Sequence, residues 1–351
     1  MSSRPWKLGL AAVAAVVVGY LACAPVEAEP VAWDPPPAEA WASEPIAVMR
    51  LLEGEGVGPE DIAVDAQGRV YTGYEDGRIL RAEPDGSDAR WFATLPQGRP
   101  LGMEFDAKGH LIVADGQAGL VTVDPEGVVT VLVDEVDGEP LVFADDLDIA
   151  PDGTIWFSEA SRRWSVHDST LDAIEGAPTG RLLAYDPGSG EATVHLRELR
   201  YANGVAVTPS GDAVLVAETF GYRVRRLWIE GEQAGRDDMF VEAMPGMPDN
   251  VQIDDEGRVW VALVKERSGL LDGLGPYPRV RTVLFRIPRA ALPVPPPVVW
   301  FAVFDADGQR LGTYRSEDGF GDVTSVNPVG ASVWLGSLTM SALGKAPRPQ
   351  L

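Results

Sequence analysis

GPEDIAVDAQGRVYTGYEDGRILRAEPDG at residues 58–86 and RPLGMEFDAKGHLIVADGQAGLVTVDPEG at 99–127 are two copies of one pattern. Each reads as an apolar strand, an Asp-x-x-Gly turn, an aliphatic strand, a polar turn, and a third strand ending in Glu-Pro or Asp-Pro. Period-two alternation and glycine-rich turns mark β-strands, and long amphipathic helical runs are nearly absent. The pattern recurs as DDLDIAPDGTIWFSEA (145–160) with GRLLAYDPGSG (180–190), and as NGVAVTPSGDAVLVAE (203–218) with YRVRRLWIEG (222–231). It returns as DNVQIDDEGRVWVALV (249–264) with TVLFRIP (282–288), and last as VTSVNPVGASVWLGSL (323–338). The six units start near residues 60, 101, 145, 203, 249 and 323, at steps of 41, 44, 58, 46 and 74. A propeller blade takes about 40–50 residues, so the two long steps carry insertions, placed at 161–180 and 288–319. The last unit lacks an outer strand, which residues 46–52 can supply. The expected fold is all-β, a six-bladed β-propeller closed by an N-terminal strand.

Ahead of the repeats, residues 8–24 read LGLAAVAAVVVGYLACA, uncharged, with Arg4 and Lys7 before them. This is a signal peptide or a short membrane anchor that leaves the N-terminus inside and exports the propeller. Cys23, the only cysteine, lies in this segment, so the exported part forms no disulfide within itself. Residues 25–44, rich in Pro, Ala and Glu, read as an extended spacer between anchor and propeller. The domains expected are thus 1–24, 25–44 and a propeller at 45–351. The chain carries 53 acidic against 29 basic residues, a formal charge of -24, a field that repels nucleic acid and attracts cations. The acidic balance and the alanine content fit an exported bacterial protein, in the periplasm if anchored and secreted if the signal is cleaved.

Glu60, Asp145, Asn203, and Asp249 with Asn250 stand at the same phase, at the start of a unit's first strand. In a propeller these strands line the central channel, so five oxygen-bearing side chains converge on its mouth, a ligand set suited to calcium. No paired His or Cys accompanies them, which disfavours zinc and copper. Asp61 and Asp146 follow Glu60 and Asp145. Strict alternation points them the other way, to a second site deeper in the channel helped by the backbone carbonyl of Met103. The three histidines sit away from strand starts, and no nucleophile elbow, phosphate loop or dinucleotide fingerprint is present. Any catalysis then falls to the metal, with Asp249 as the general base beside it. Trp164 in 161–180 and Tyr277 in 265–279 are expected to line an apolar pocket over the channel.

With GRPLGMEFDAKGHLIVADGQAGL, ADDLDIAPDGTIWFSEAS, GRLLAYDP, YANGVAVTPSGDAVLVAET, MPGMPDNVQIDDEGRVWVAL and TSVNPVGASVWLGSL, the chain resembles the strictosidine synthase-like family. That family includes the adipocyte plasma membrane-associated proteins, and the likeness runs over about residues 45–345. The resemblance implies a propeller of the wider paraoxonase, gluconolactonase and regucalcin group. It maps a catalytic calcium to Glu60, Asp145, Asn203, Asp249 and Asn250, and a structural calcium to Asp61, Asp146 and the Met103 carbonyl. Asp145 stands where relatives carry Asn. Leu101 replaces the histidine implicated in paraoxonase catalysis, and Thr324 replaces the last-blade glutamate of strictosidine synthase. The function expected is calcium-dependent hydrolysis of a small-molecule ester or lactone by a membrane-tethered, exported propeller. The alternative is a non-catalytic propeller with a structural calcium that binds a partner.

Overall fold

The computed structural model describes Gly19 and residues 26–96, 98–292 and 296–351. Six antiparallel sheets stand around a central channel. Blade 1 comprises Ile62–Val64, Val70–Gly73, Arg78–Ala82 and Arg90–Thr94, and blade 2 Pro100–Phe105, Leu111–Asp115, Gly119–Val123 and Val129–Val133. Blade 3 holds Ala144–Ile149, Ile155–Glu159, Gly180–Asp186 and Glu191–Leu199, and blade 4 Ala202–Val207, Ala213–Glu218, Arg223–Trp228 and Asp237–Val241. Blade 5 is built from Gly246–Ile253, Val259–Glu266, Val299–Phe304 and Arg310–Ser316, with Glu44–Pro45 added in parallel outside. Blade 6 has Val323–Val329, Ser332–Ser337 and Leu343–Pro347, and Met49–Leu51 completes it, paired antiparallel to Leu343–Lys345. The ring is closed by the N-terminal strand, as the short sixth unit implies.

The Asp-x-x-Gly signature is the turn between a blade's first two strands. Asp65 Oδ1 accepts from the N–H groups of Gln67 and Arg69, both at 2.9 Å, and Gly68 takes a φ of +81° that a side chain would disfavour. Asp106 and Asp254 repeat the arrangement, and Asp305 does so between the third and fourth strands of blade 5. Apolar side chains on both faces of each blade pack against the next. Tyr71 and Ile79 of blade 1 meet Val113 and Val121 of blade 2, and Ile112 and Leu120 meet Leu147 and Phe157 of blade 3. Since both faces are covered, the middle strands read as continuous apolar runs.

Three sequence expectations need correction. TVLFRIP is not the third strand of blade 5. Pro278 starts a helix, Pro278–Leu284, that takes its first half. The third strand is the fully buried Val299–Phe304, and the long insertion is therefore 267–298 rather than 288–319. Residues 26–43 are extended, yet they lie against the propeller instead of standing clear of it, bonding to Glu175, Gly275 and Ala243. The apolar segment at 8–24, with Cys23, falls outside the described residues, Gly19 apart. Among the described residues no helix is long and apolar enough to cross a membrane.

Candidate functional site

In blades 2 to 6 the innermost strand breaks register near the channel mouth. In blade 3, Ala144 faces Glu159 and the next pair is Leu147 with Phe157, so the inner strand carries one extra residue. Blades 2, 4, 5 and 6 show the same shift at Pro100/Met103, Ala202/Val205, Pro248/Val251 and Val323/Val326. In blade 1 the ladder starts at Ile62, while the Glu60 N–H reaches the Gly73 carbonyl at 3.4 Å. Such bulges re-aim side chains. The residues at them are Glu60–Asp61, Leu101–Gly102, Asp145–Asp146, Asn203–Gly204, Asp249–Asn250 and Thr324–Ser325. Glycine is required at two of them: a Cβ on Gly102 would lie 2.1 Å from Asp146 Oδ1, and one on Gly204 would lie 2.4 Å from the Asp249 carbonyl. In blade 6, Thr324 and Ser325 donate their hydroxyls to the Glu60 carbonyl at 2.6 and 3.0 Å, joining the last blade to the first.

The bulges bring Glu60, Asp145, Asn203, Asp249 and Asn250 together at the mouth, all at most 5% exposed. Their donors are spent on one another. The Asn250 amide donates to Glu60 Oε1 at 3.3 Å, and Asn203 hydrogen-bonds Asp249. Left without any donor are Glu60 Oε2, Asp145 Oδ2, Asn203 Oδ1 and Asn250 Oδ1. An unsatisfied buried acceptor costs about 1–3 kcal/mol, and four neighbouring ones are the complement of a hard cation. Among the described residues no three carboxylate, imidazole or thiolate groups gather closely enough to hold a metal by themselves, so the two amide oxygens are integral to the set.

The electrostatics follow from burial. Glu60 is pushed well above the carboxylate range, first by burial and then by Asp249, Asp61, Asp145 and Asp146. Asp249 is raised by burial and by Asp145, against the Asn203 hydrogen bond, and burial lifts Asp145 to about 8 against the pull of Arg99. Arg99, 3% exposed and bonded to the Gly58 carbonyl at 3.1 Å, is a counter-charge that motif reading passes over. Nothing but its place beside a strand start marks it in the sequence.

Asp61 and Asp146 lie lower in the channel. Asp61 accepts from the Met103 N–H at 3.0 Å and from Asn327 at 3.2 Å, so both its oxygens have donors. Met103 meets it as an amide donor. Asp146 Oδ2 takes the Val205 N–H at 2.8 Å, and only Asp146 Oδ1 is without a donor. This lower pair therefore fits an ion less well than the upper set does.

Above the upper set lies a cavity of about 470 Å³. Glu60, Asp145, Asn203 and Asp249 line it together with Leu101, Phe143, Tyr201, Phe220, Met247 and Val264. Two insertions roof it. The first contributes the helix Ser169–Glu175, through Ser169, Thr170 and Ala173; the second contributes Ser268 and, from the helix Gly269–Leu274, Leu271. Trp164 and Tyr277 do not line it. The Trp164 indole N–H is held by Glu175 at 2.6 Å, and Tyr277 is 58% exposed, so the aromatic lining comes from the blades instead. His110 and His195 belong to surface strands and turns, as their positions imply.

A six-bladed propeller with a buried oxygen cluster under an apolar, roofed cavity defines the class. Residues 145–232 match the strictosidine synthase family model and residues 47–82 the strictosidine synthase-like N-terminal model. An adipocyte plasma membrane-associated protein of Salmo salar is 36% identical over 298 residues, 78% of this chain and 71% of that one. Strictosidine synthase-like protein 13 of Arabidopsis thaliana is 34% identical over 259 residues, 66% and 64% of the two chains. The chain belongs to the strictosidine synthase-like family. Among solved structures, a gluconolactonase of Xanthomonas campestris superposes with a TM-score of 0.63 at 18% identity, covering 92% of this chain and 98% of that one. A calcium-binding regucalcin of Agrobacterium tumefaciens gives 0.61 at 16%, covering 89% and 98%. At these identities the two share the fold.

Proposed function

We propose that the protein is a calcium-dependent hydrolase of small esters or lactones, tethered to a membrane by residues 1–24 with its propeller exported. The observation that carries the reading is the set of four donor-free buried oxygens on Glu60, Asp145, Asn203 and Asn250 at the floor of an apolar cavity. Those side chains would hold the ion, and calcium would supply polarisation of the substrate carbonyl. Leu101, Phe143, Tyr201 and Phe220 take up the apolar part of the substrate and exclude water around it. Asp249, held above the ordinary carboxylate range by its burial and by Asp145, takes a proton from the attacking water and returns it to the leaving oxygen. The names of the gluconolactonase and regucalcin neighbours support this direction, as the plasma-membrane names of the relatives support tethering.

A non-catalytic calcium propeller is favoured by one observation: among the described residues lining the cavity there is no histidine, and Leu101 and Thr324 face it instead. Calcium-dependent turnover of phenyl acetate and a panel of lactones, with Asp249→Asn alongside, separates the two. Turnover abolished by chelation and by Asp249→Asn supports the hydrolase. Calcium-induced thermal stabilisation without turnover of any substrate supports the binder.

A further inference from the structure

The extended segment 26–43 runs along the seam between the two insertions that roof the cavity. Arg163 donates to the Glu27 carbonyl at 2.9 Å, the Glu29 N–H to Glu175 Oε1 at 2.6 Å, and the Val31 N–H to the Glu175 carbonyl at 3.2 Å, all on the first insertion. From Val31 onward the segment also engages the second. Arg281 donates to the Val31 carbonyl, the Trp33 N–H to the Gly275 carbonyl at 3.2 Å, and Arg267 to the Pro36 carbonyl at 2.8 Å. Trp33 then turns inward. Its ring lies 5.9 Å from Tyr222 and beneath the Arg200 guanidinium at 4.6 Å, packed on Tyr222, Met247 and Val264. Met247 and Val264 are themselves cavity wall.

We infer that this segment is the third member of the roof and that Trp33 is a positioning residue setting the width of the cavity. The two roof insertions are short, with helices of 7, 6 and 7 residues, too short to hold their places alone. A chain that bonds to both at successive residues fixes their separation, and a tryptophan behind Met247 and Val264 limits how far that wall retreats. Selectivity for the bulk of an apolar ligand is then decided partly by a residue that touches no ligand. The inference builds on the proposed function only in taking the cavity as the binding site.

The test uses the full chain, Trp33→Ala and Trp33→Phe, without reference to turnover. Hydrogen exchange of 169–175 and 269–284 is followed beside that of the blade strands, with calcium titrations and binding of the apolar probe 1-anilinonaphthalene-8-sulfonate. Exchange of the roof helices at least ~10-fold faster in Trp33→Ala, with blade strands unchanged and Trp33→Phe intermediate, is the expected result. Probe affinity should move by several-fold while calcium affinity holds. Roof protection unaltered in both variants overturns the inference. If Trp33→Ala loosens the blades as well, the decision rests on Trp33→Phe: roof exchange equal to that of the full chain then counts against it. Loss of calcium binding in the full chain would sink the proposed function and leave the exchange result standing.

Discussion

The clearest consequence of the oxygen cluster is a pH-dependent stability, which calcium should abolish if the proposed function holds. In the metal-free protein Asp145 titrates near 8, against 3.8 for an ordinary aspartate. Below both values folded and unfolded chains are protonated alike. Between them the folded state keeps a proton that the unfolded state has lost, so stability falls as pH rises, and above about 8 the loss is complete. A rise of that size is worth ~5 kcal/mol, an upper value, because Glu60 and Asp249 share the strain and titrate together. In a chain this size that is a fall of about 10 °C in melting temperature. The turn aspartates with lowered pKa, such as Asp65 and Asp254, slope the other way, so the quantity to measure is a difference. Thermal unfolding is recorded from pH 5 to 9 in chelator and in calcium, for the wild type and for Asp145→Asn. The gap between calcium and chelator should widen with pH in the wild type. In Asp145→Asn, which keeps an oxygen and loses the proton, it should flatten in large part. A gap independent of pH, or equal slopes in the two proteins, refutes the reasoning.

Glu60→Gln keeps the fold and removes a charge from the set, so calorimetry should show calcium affinity reduced by ~100-fold or more. Gly102→Ala drives a Cβ into the Asp146 carboxylate and should cost at least ~3 kcal/mol in denaturant unfolding; a cost under 1 kcal/mol would mean that the inner strands of blades 2 and 3 are free to part. Leu101→His sets a proton carrier in the cavity wall, and should raise calcium-dependent aryl ester turnover by ~10²-fold, read in steady-state kinetics against the same variant in chelator.

The blades were legible because the turn chemistry repeats. A glycine at positive φ closes the first turn of every unit, an aspartate caps that turn in blades 1, 2 and 5, and an apolar run follows, so each unit states its phase independently. The same phase located Glu60, Asp145, Asn203, Asp249 and Asn250. Alternation set Asp61 and Asp146 deeper, where they lie, but could not show that the donors to Asp61 are Asn327 and the Met103 N–H, far along the chain. TVLFRIP is apolar enough for either strand or helix, and Pro278 upstream decides it. Trp164 and Tyr277 were aromatic residues in the right insertions, but their directions depend on Glu175 and on solvent. Nothing in residues 26–43 names the arginines that hold them, which lie between 136 and 250 residues away.

Closure of the ring by Met49–Leu51 carries a consequence for the order of synthesis. The partners of that strand, Leu343–Lys345, are made nearly three hundred residues after it. Until they emerge, the first segment has no mate and blade 6 does not exist, so the propeller waits as five blades with two open sheet edges. Pairing across nearly three hundred residues is slow, and open edges invite association with other chains. The folding of this protein is therefore most vulnerable until Leu343–Lys345 is made, and a truncation before that strand should yield aggregates rather than a shorter functional propeller.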